Sequence, residues 1–202
     1  MGYPGDHRIC FVGDSFVQGT CDPECRGWVG RVSAAARATG FDVTAYNLGV
    51  RRDTSRDVAL RWKTECELRF RTECTRYVLF SFGANDMTFE NGGPRVDEEE
   101  SVSNFSRIIS ESRALYNTLV VGPVPVGNPE QDLRIMGLCT AYSRRAKEIG
   151  VPYLAVAETL ASNRTWISEV RANDGSHPGA GGYRFLAELV SGWPAWWFRD
   201  GI

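Results

Sequence analysis

The sequence lacks most of what would tie it to a cofactor, a membrane or a nucleic acid. It has only two histidines among 202 residues, and 23 basic residues against 25 acidic ones. A net charge of −2 argues against a polyanionic partner such as nucleic acid. No apolar run is long enough to span a bilayer, and the polar start, Met1 to Arg8, has no signal-like core. The expectation is a cytoplasmic protein. No internal repeat, low-complexity tract or linker interrupts the chain, so residues 1–202 are expected to form one domain. Neither a Gly-x-Gly-x-x-Gly nor a P-loop follows a strand-like segment, and no Gly-x-Ser-x-Gly elbow occurs. Cys21 and Cys25 are close, but no second Cys/His pair at zinc-like spacing accompanies them. The six cysteines are expected to be free thiols, with no metal and no cofactor.

What is present is an alternation. Short apolar runs at Ile9–Val12, Val43–Leu48, Tyr77–Phe82, Thr118–Val121 and Tyr153–Val156 read as strands covered on both faces. Between them, residues 27–38, 54–70, 99–115, 131–149 and 180–191 have helical spacing. The acidic run Asp97–Glu100 suits the positive end of the helix it precedes. Strand and helix in alternation predict a doubly wound α/β sandwich, which binds ligands beyond the carboxyl ends of its strands.

Polar clusters stand at those ends. They are Gly13-Asp14-Ser15-Phe16, Asn47-Leu48-Gly49, Gly83-Ala84-Asn85-Asp86 and, before the last helix, Asp174-Gly175-Ser176-His177-Pro178. A serine hydroxyl needs a base to become a nucleophile, and His177 can supply one to Ser15. Asp174 can hold the other imidazole nitrogen and fix the tautomer. The backbone N–H groups of Ser15 and Gly49 and the Asn85 amide are candidate donors to an oxyanion. His7 precedes the first strand and is expected to be an exposed bystander at the far end.

These four blocks, in this order, resemble the SGNH/GDSL hydrolase family, with Phe16 where that family has Leu. The resemblance runs from residue 9 to about 190. It implies a flavodoxin-like three-layer α/β/α sandwich with a five-stranded parallel sheet. It further implies an esterase with catalytic Ser15, Asp174 and His177, acting through an acyl-enzyme without cofactor. It favours Asp174 over Asp14 as the acid and makes Asp14 and Asp86 structural. One departure stands out. The second block often has another glycine three residues on, and here that position is Arg52, which tolerates positive φ poorly.

Several substrates are open: a short or medium acyl ester, a lysophospholipid, a thioester or an acetylated sugar. Arg52, Met87, Phe89 and Pro125 are candidate pocket residues, with rim pairing of Arg52 to Asp53 and core packing of Met87 and Phe89 as the alternatives. An acyltransferase on the same site and a non-catalytic ester- or carbohydrate-binding module are the competing functions. The tail Trp193–Phe198 holds three tryptophans and is expected to pack on the sandwich, with a membrane or homodimer patch as the other reading.

Overall fold

The computed structural model describes residues 5–70 and 73–199. Met1–Pro4, the start of the polar N-terminal segment, lies outside them. Five parallel strands form the central sheet: β1 (His7–Gly13), β2 (Val43–Gly49), β3 (Thr75–Ser81), β6 (Asn117–Val121) and β7 (Tyr153–Leu154). Their order is β2-β1-β3-β6-β7, with β1 against both β2 and β3. A two-residue hairpin, β4 (Phe89–Glu90) with β5 (Gly93–Pro94), stands apart from it. The expected α/β/α sandwich is therefore the observed one.

Helices cover both faces. On one, α2 (Gly27–Ala38) packs on α8 (Ala180–Gly192), which also meets α7 (Arg164–Ala172). On the other, α3 (Ser55–Arg69), α4 (Glu98–Leu115) and α5 (Pro129–Ile149) pack in series, and α5 meets α6 (Ala157–Ala161). The four-residue α1 (Ser15–Gln18) follows β1 directly. Local chemistry explains the boundaries. Thr54 and Asp57 form a reciprocal capping box on α3, Asp97 accepts from Glu100 N at the start of α4, and Pro129 opens α5 behind the cap Asn128. Four features were not anticipated: α1, the hairpin, α6 and α7. The last strand is also shorter than its apolar run.

The register positions the site. Gly13 pairs with Gly49 on one side and with Ser81 on the other. The segments that follow β1, β2 and β3 therefore leave the sheet at one level. Phe11, Phe80 and Leu79 below them are fully buried, so this edge stands on a rigid core. The opposite end is closed by the tail. Trp196 packs near Phe11, Trp197 lies 4.7 Å from Tyr77, and Phe198 lies 5.2 Å from Phe41 and 5.5 Å from His7, centroid to centroid. His7 is thus at the far end as expected, but it is half-buried against that cluster and within 3.2 Å of the Tyr77 hydroxyl. No helix among the described residues is long and apolar enough to cross a membrane.

Candidate active site

Ser15 is the first residue of α1, and Asp14 caps it by accepting from Phe16 N at 3.0 Å. A residue at that first position has no intrahelical acceptor for its N–H. The Ser15 hydroxyl lies 2.7 Å from His177 Nε2, although 162 residues separate the two. His177 Nδ1 lies 2.7 Å from Asp174 Oδ2. The other oxygen, Asp174 Oδ1, accepts from the N–H groups of Ser176 at 3.0 Å and His177 at 2.8 Å. Burial pushes the Asp174 carboxyl up, but the His177 backbone and ring and the Ser176 N–H outweigh it and hold it at about 2. Asp174 is therefore an anion at any working pH. With Nδ1–H directed to that anion, Nε2 presents its lone pair to Ser15. Ser15 and His177 are both buried, and the Phe16 ring packs 4.7 Å from the imidazole.

The loop that carries His177 is fastened from outside. Glu169 on α7 accepts from Gly179 N at 2.9 Å, Gly181 N at 3.0 Å and Gly182 N at 2.7 Å. These are the N–H groups that the start of α8 would otherwise leave open. Asn173 Nδ2 adds a bond to the His177 carbonyl at 3.2 Å. Glu169 escaped the sequence analysis because its partners are backbone amides of a glycine run, which carry no side-chain signal.

The second loop departs from expectation. Gly49 N–H is not open to a ligand: it donates to Asn47 Oδ1 at 2.9 Å. A Cβ at Gly49 would come within 2.2 Å of Gln18 N and 2.7 Å of Asp14 O. Glycine is required there for contact with α1, not for contact with substrate. The turn beyond it closes through Asp53 N to Val50 O at 3.3 Å, and Arg52 takes φ +69 at its third position. That is the conformation in which a turn favours glycine. Arg52 holds it with help: its carbonyl accepts from Arg95 Nη1 at 2.8 Å and its guanidinium meets Glu90 at 2.9 Å. The Arg52 side chain pairs with Glu90, then, and not with Asp53. Asp53 instead takes Arg61 Nε at 2.6 Å, and Arg61 also donates to the carbonyls of Gly13 and Leu48. Arg61 ties together the ends of β1 and β2, a role that reading the strand ends alone did not reveal.

Asn85 Nδ2 donates to Asp53 O at 3.0 Å, which joins the third loop to the second and leaves one amide hydrogen uncommitted. Asp86 beneath it is fully buried and accepts from Ser55 N at 2.7 Å and Ser101 Oγ at 2.5 Å. Of the other candidate pocket residues, Met87 is 3% exposed and belongs to the core. Pro125 is buried, and its carbonyl is taken by Trp166 Nε1. Neither side chain offers surface to a ligand. Phe89 does: it is 57% exposed, with the Arg134 guanidinium 4.7 Å from its ring centre. A concavity of about 470 Å³ between α5 and α6 involves Met136, Arg144 and Glu158 and contains none of these polar clusters.

Comparison with known proteins agrees with the fold. The GDSL-like Lipase/Acylhydrolase family matches residues 11–185. An uncharacterized protein of Bacillus subtilis (strain 168), YpmR, is 26% identical over 90% of this chain and 79% of its own length. Among solved structures, a lipase/acylhydrolase from Enterococcus faecalis superposes with a TM-score of 0.75 at 22% identity, covering 91% of this chain and 93% of that one. Axe2, an acetylxylan esterase from Geobacillus stearothermophilus, superposes with a TM-score of 0.72 at 16% identity, covering 94% of each chain.

Proposed function

The chain belongs to the GDSL-like lipase/acylhydrolase family, and from that premise we propose that it hydrolyses a small carboxylic ester with Ser15 as nucleophile, His177 as base and Asp174 as orienting acid. The observation that carries this reading is the unbroken run of two 2.7 Å contacts from Ser15 Oγ through the imidazole to Asp174. Ser15 Oγ attacks the acyl carbon as Nε2 takes its proton. Nε2 then gives that proton to the departing alcohol, and water repeats the sequence on the acyl-serine. Asp174 stays ionised and stabilises the imidazolium.

The oxyanion falls to Ser15 N–H, to the uncommitted Asn85 Nδ2 hydrogen and to a third donor. Gly49 N–H is already engaged with Asn47. The Arg52 N–H has no acceptor within its turn, and the next residue's carbonyl is the one Asn85 holds. It takes the place Gly49 was expected to fill. Substituting one such donor typically costs about 2.7–4 kcal/mol of transition-state stabilisation. Because the fold matches that of an acetylxylan esterase, acetylated sugars are the first natural class to test, beside p-nitrophenyl acetate and butyrate. Ser15→Ala should lower kcat by about 10³-fold or more, and a fluorophosphonate should label Ser15 in the wild type. Activity that survives intact in Ser15→Ala would overturn the assignment.

A further inference from the structure

The Asp174–His177 pair has a third neighbour that hydrolysis does not use. Cys21 Sγ, an Asp174 carboxylate oxygen and a His177 ring nitrogen all lie within 4.8 Å of one another. Cys21 and Asp174 are exposed, so the cluster opens to solvent on the side away from Ser15. The thiol is not on a wandering loop. Thr20 N donates to Ser15 O at 3.1 Å, Tyr183 hydroxyl donates to Thr20 O at 2.7 Å, and Asp22 N donates to Gly19 O at 3.2 Å. The residues on both sides of Cys21 are thereby fixed to the helix that bears the nucleophile.

One sulfur, one imidazole nitrogen and one carboxylate oxygen are the donor set that a borderline-soft divalent cation prefers. Legs of about 2.0–2.3 Å in a tetrahedron place ligand atoms roughly 3.3–3.7 Å apart. The cluster needs to adjust by only about 1 Å to reach that spacing. Asp174 can supply the adjustment: its Oδ1 is held by two backbone N–H groups, its Oδ2 meets the imidazole, and the Cys21 thiol already bonds the same carboxylate.

We propose that Cys21, Asp174 and His177 form an inhibitory site for a thiophilic divalent cation of the zinc type. The cation takes Cys21 Sγ, Asp174 Oδ2 and His177 Nδ1, with water as the fourth ligand. The thiol gives up its proton to solvent. Nδ1 gives up its proton as well, and Nε2 acquires one, so the ring stays neutral and one proton is released overall. A neutral imidazole that donates its Nδ1 lone pair to a metal carries its hydrogen on Nε2. Nε2 then faces Ser15 as a donor and cannot accept the serine proton. The cation acts by imposing the wrong tautomer, without touching the nucleophile.

The effect on rate rests on the esterase reading above; the binding does not. Two readouts keep them separate. Cobalt(II) reports thiolate ligation by its near-ultraviolet charge-transfer band, and zinc(II) is titrated against p-nitrophenyl acetate hydrolysis, each variant measured relative to its own metal-free rate. One cobalt per chain with a thiolate band is expected in the wild type and in Ser15→Ala. Cys21→Ser should abolish the band and raise the half-inhibitory zinc concentration by about tenfold or more, as expected for losing one ligand. Cys25→Ser, which removes the other exposed thiol of that loop, should leave both within about twofold, since it contributes no ligand. Equal inhibition of wild type and Cys21→Ser would overturn the proposal. So would a thiolate band that survives Cys21→Ser and disappears in Cys25→Ser. A Cys21-dependent band in a protein without esterase activity would uphold the metal site while overturning the catalytic reading.

Discussion

Two aspartates flank the chemistry, and they are opposite in kind. Asp14 precedes Ser15, is 2% exposed, and its side chain accepts from Phe16 N. Burial, with Asp86 and Asp53 adding repulsion, pushes its carboxyl up to about 7 despite that bond. Asp174 precedes His177 and is held at about 2 by two backbone N–H groups and an imidazole, against a lesser burial. The difference lies in how many donors replace lost water. One carboxyl can cap a helix whether or not it is ionised. The other must be an anion to orient an imidazole, and its loop is built to keep it one.

The contrast would break most visibly at Asp174. Asp174→Asn should lower kcat toward p-nitrophenyl acetate by about 10⁴-fold, because an amide that donates to Nδ1 selects the wrong tautomer. An intact kcat would mean that the two aspartates are alike after all. Next in size is Glu169→Ala, which opens three N–H groups behind His177. A loss of about 2 kcal/mol in urea unfolding is expected, with kcat falling more than KM rises; Glu169→Gln should recover part of both.

Asp14→Asn sharpens the contrast from the other side. The folded carboxyl binds its proton more tightly than the unfolded one, whose ordinary value is 3.8. Its contribution to stability is therefore complete below pH 3.8 and is lost as pH rises to about 7. The loss is at most about 4 kcal/mol. Asn still accepts from Phe16 N, so urea midpoints at pH 5 and pH 8 should draw together in this variant while kcat stays within about tenfold. For Asp174 the sign reverses: its contribution is present above pH 3.8 and fades as pH falls to about 2. The smallest effect is expected for Arg52→Gly. Glycine relieves a positive φ worth about 1–2 kcal/mol, offset by an exposed ion pair worth about 0–1 kcal/mol. Thermal unfolding should rise slightly, and kcat/KM should change by less than about threefold.

The sheet and the convergence of the polar clusters were legible because apolar runs and the residues after them are local signals. Gly49 shows where local reading stops. The motif marked Gly49 as a candidate oxyanion donor; that Gln18 of α1 leaves no room there for a side chain was not readable, since it depends on how a four-residue helix folds back. The same holds for residues 157–172. Their two helices follow one another without a strand between; α6 packs on α5 and α7 on α8, and Asn163 caps α7 by accepting from Trp166 N. Arg52 was legible as an anomaly. Its remedy comes from the hairpin, from Glu90 in β4 and from Arg95 just after β5, the latter 43 residues away in sequence.

The Glu169 clamp also constrains how this chain can change over evolutionary time. A Cβ at Gly181 would stand 2.6 Å from Glu169 Oε1, and one at Gly182 would stand 2.5 Å from Pro178 Cβ. None of these positions is free to drift alone: a larger residue at 181 requires the acid to withdraw, one at 182 requires Pro178 to shift, and withdrawing the acid opens the amides behind the histidine. Mutational libraries that vary position 169 or positions 179–182 separately will be depleted of active members, whereas joint libraries can cross from one solution to another.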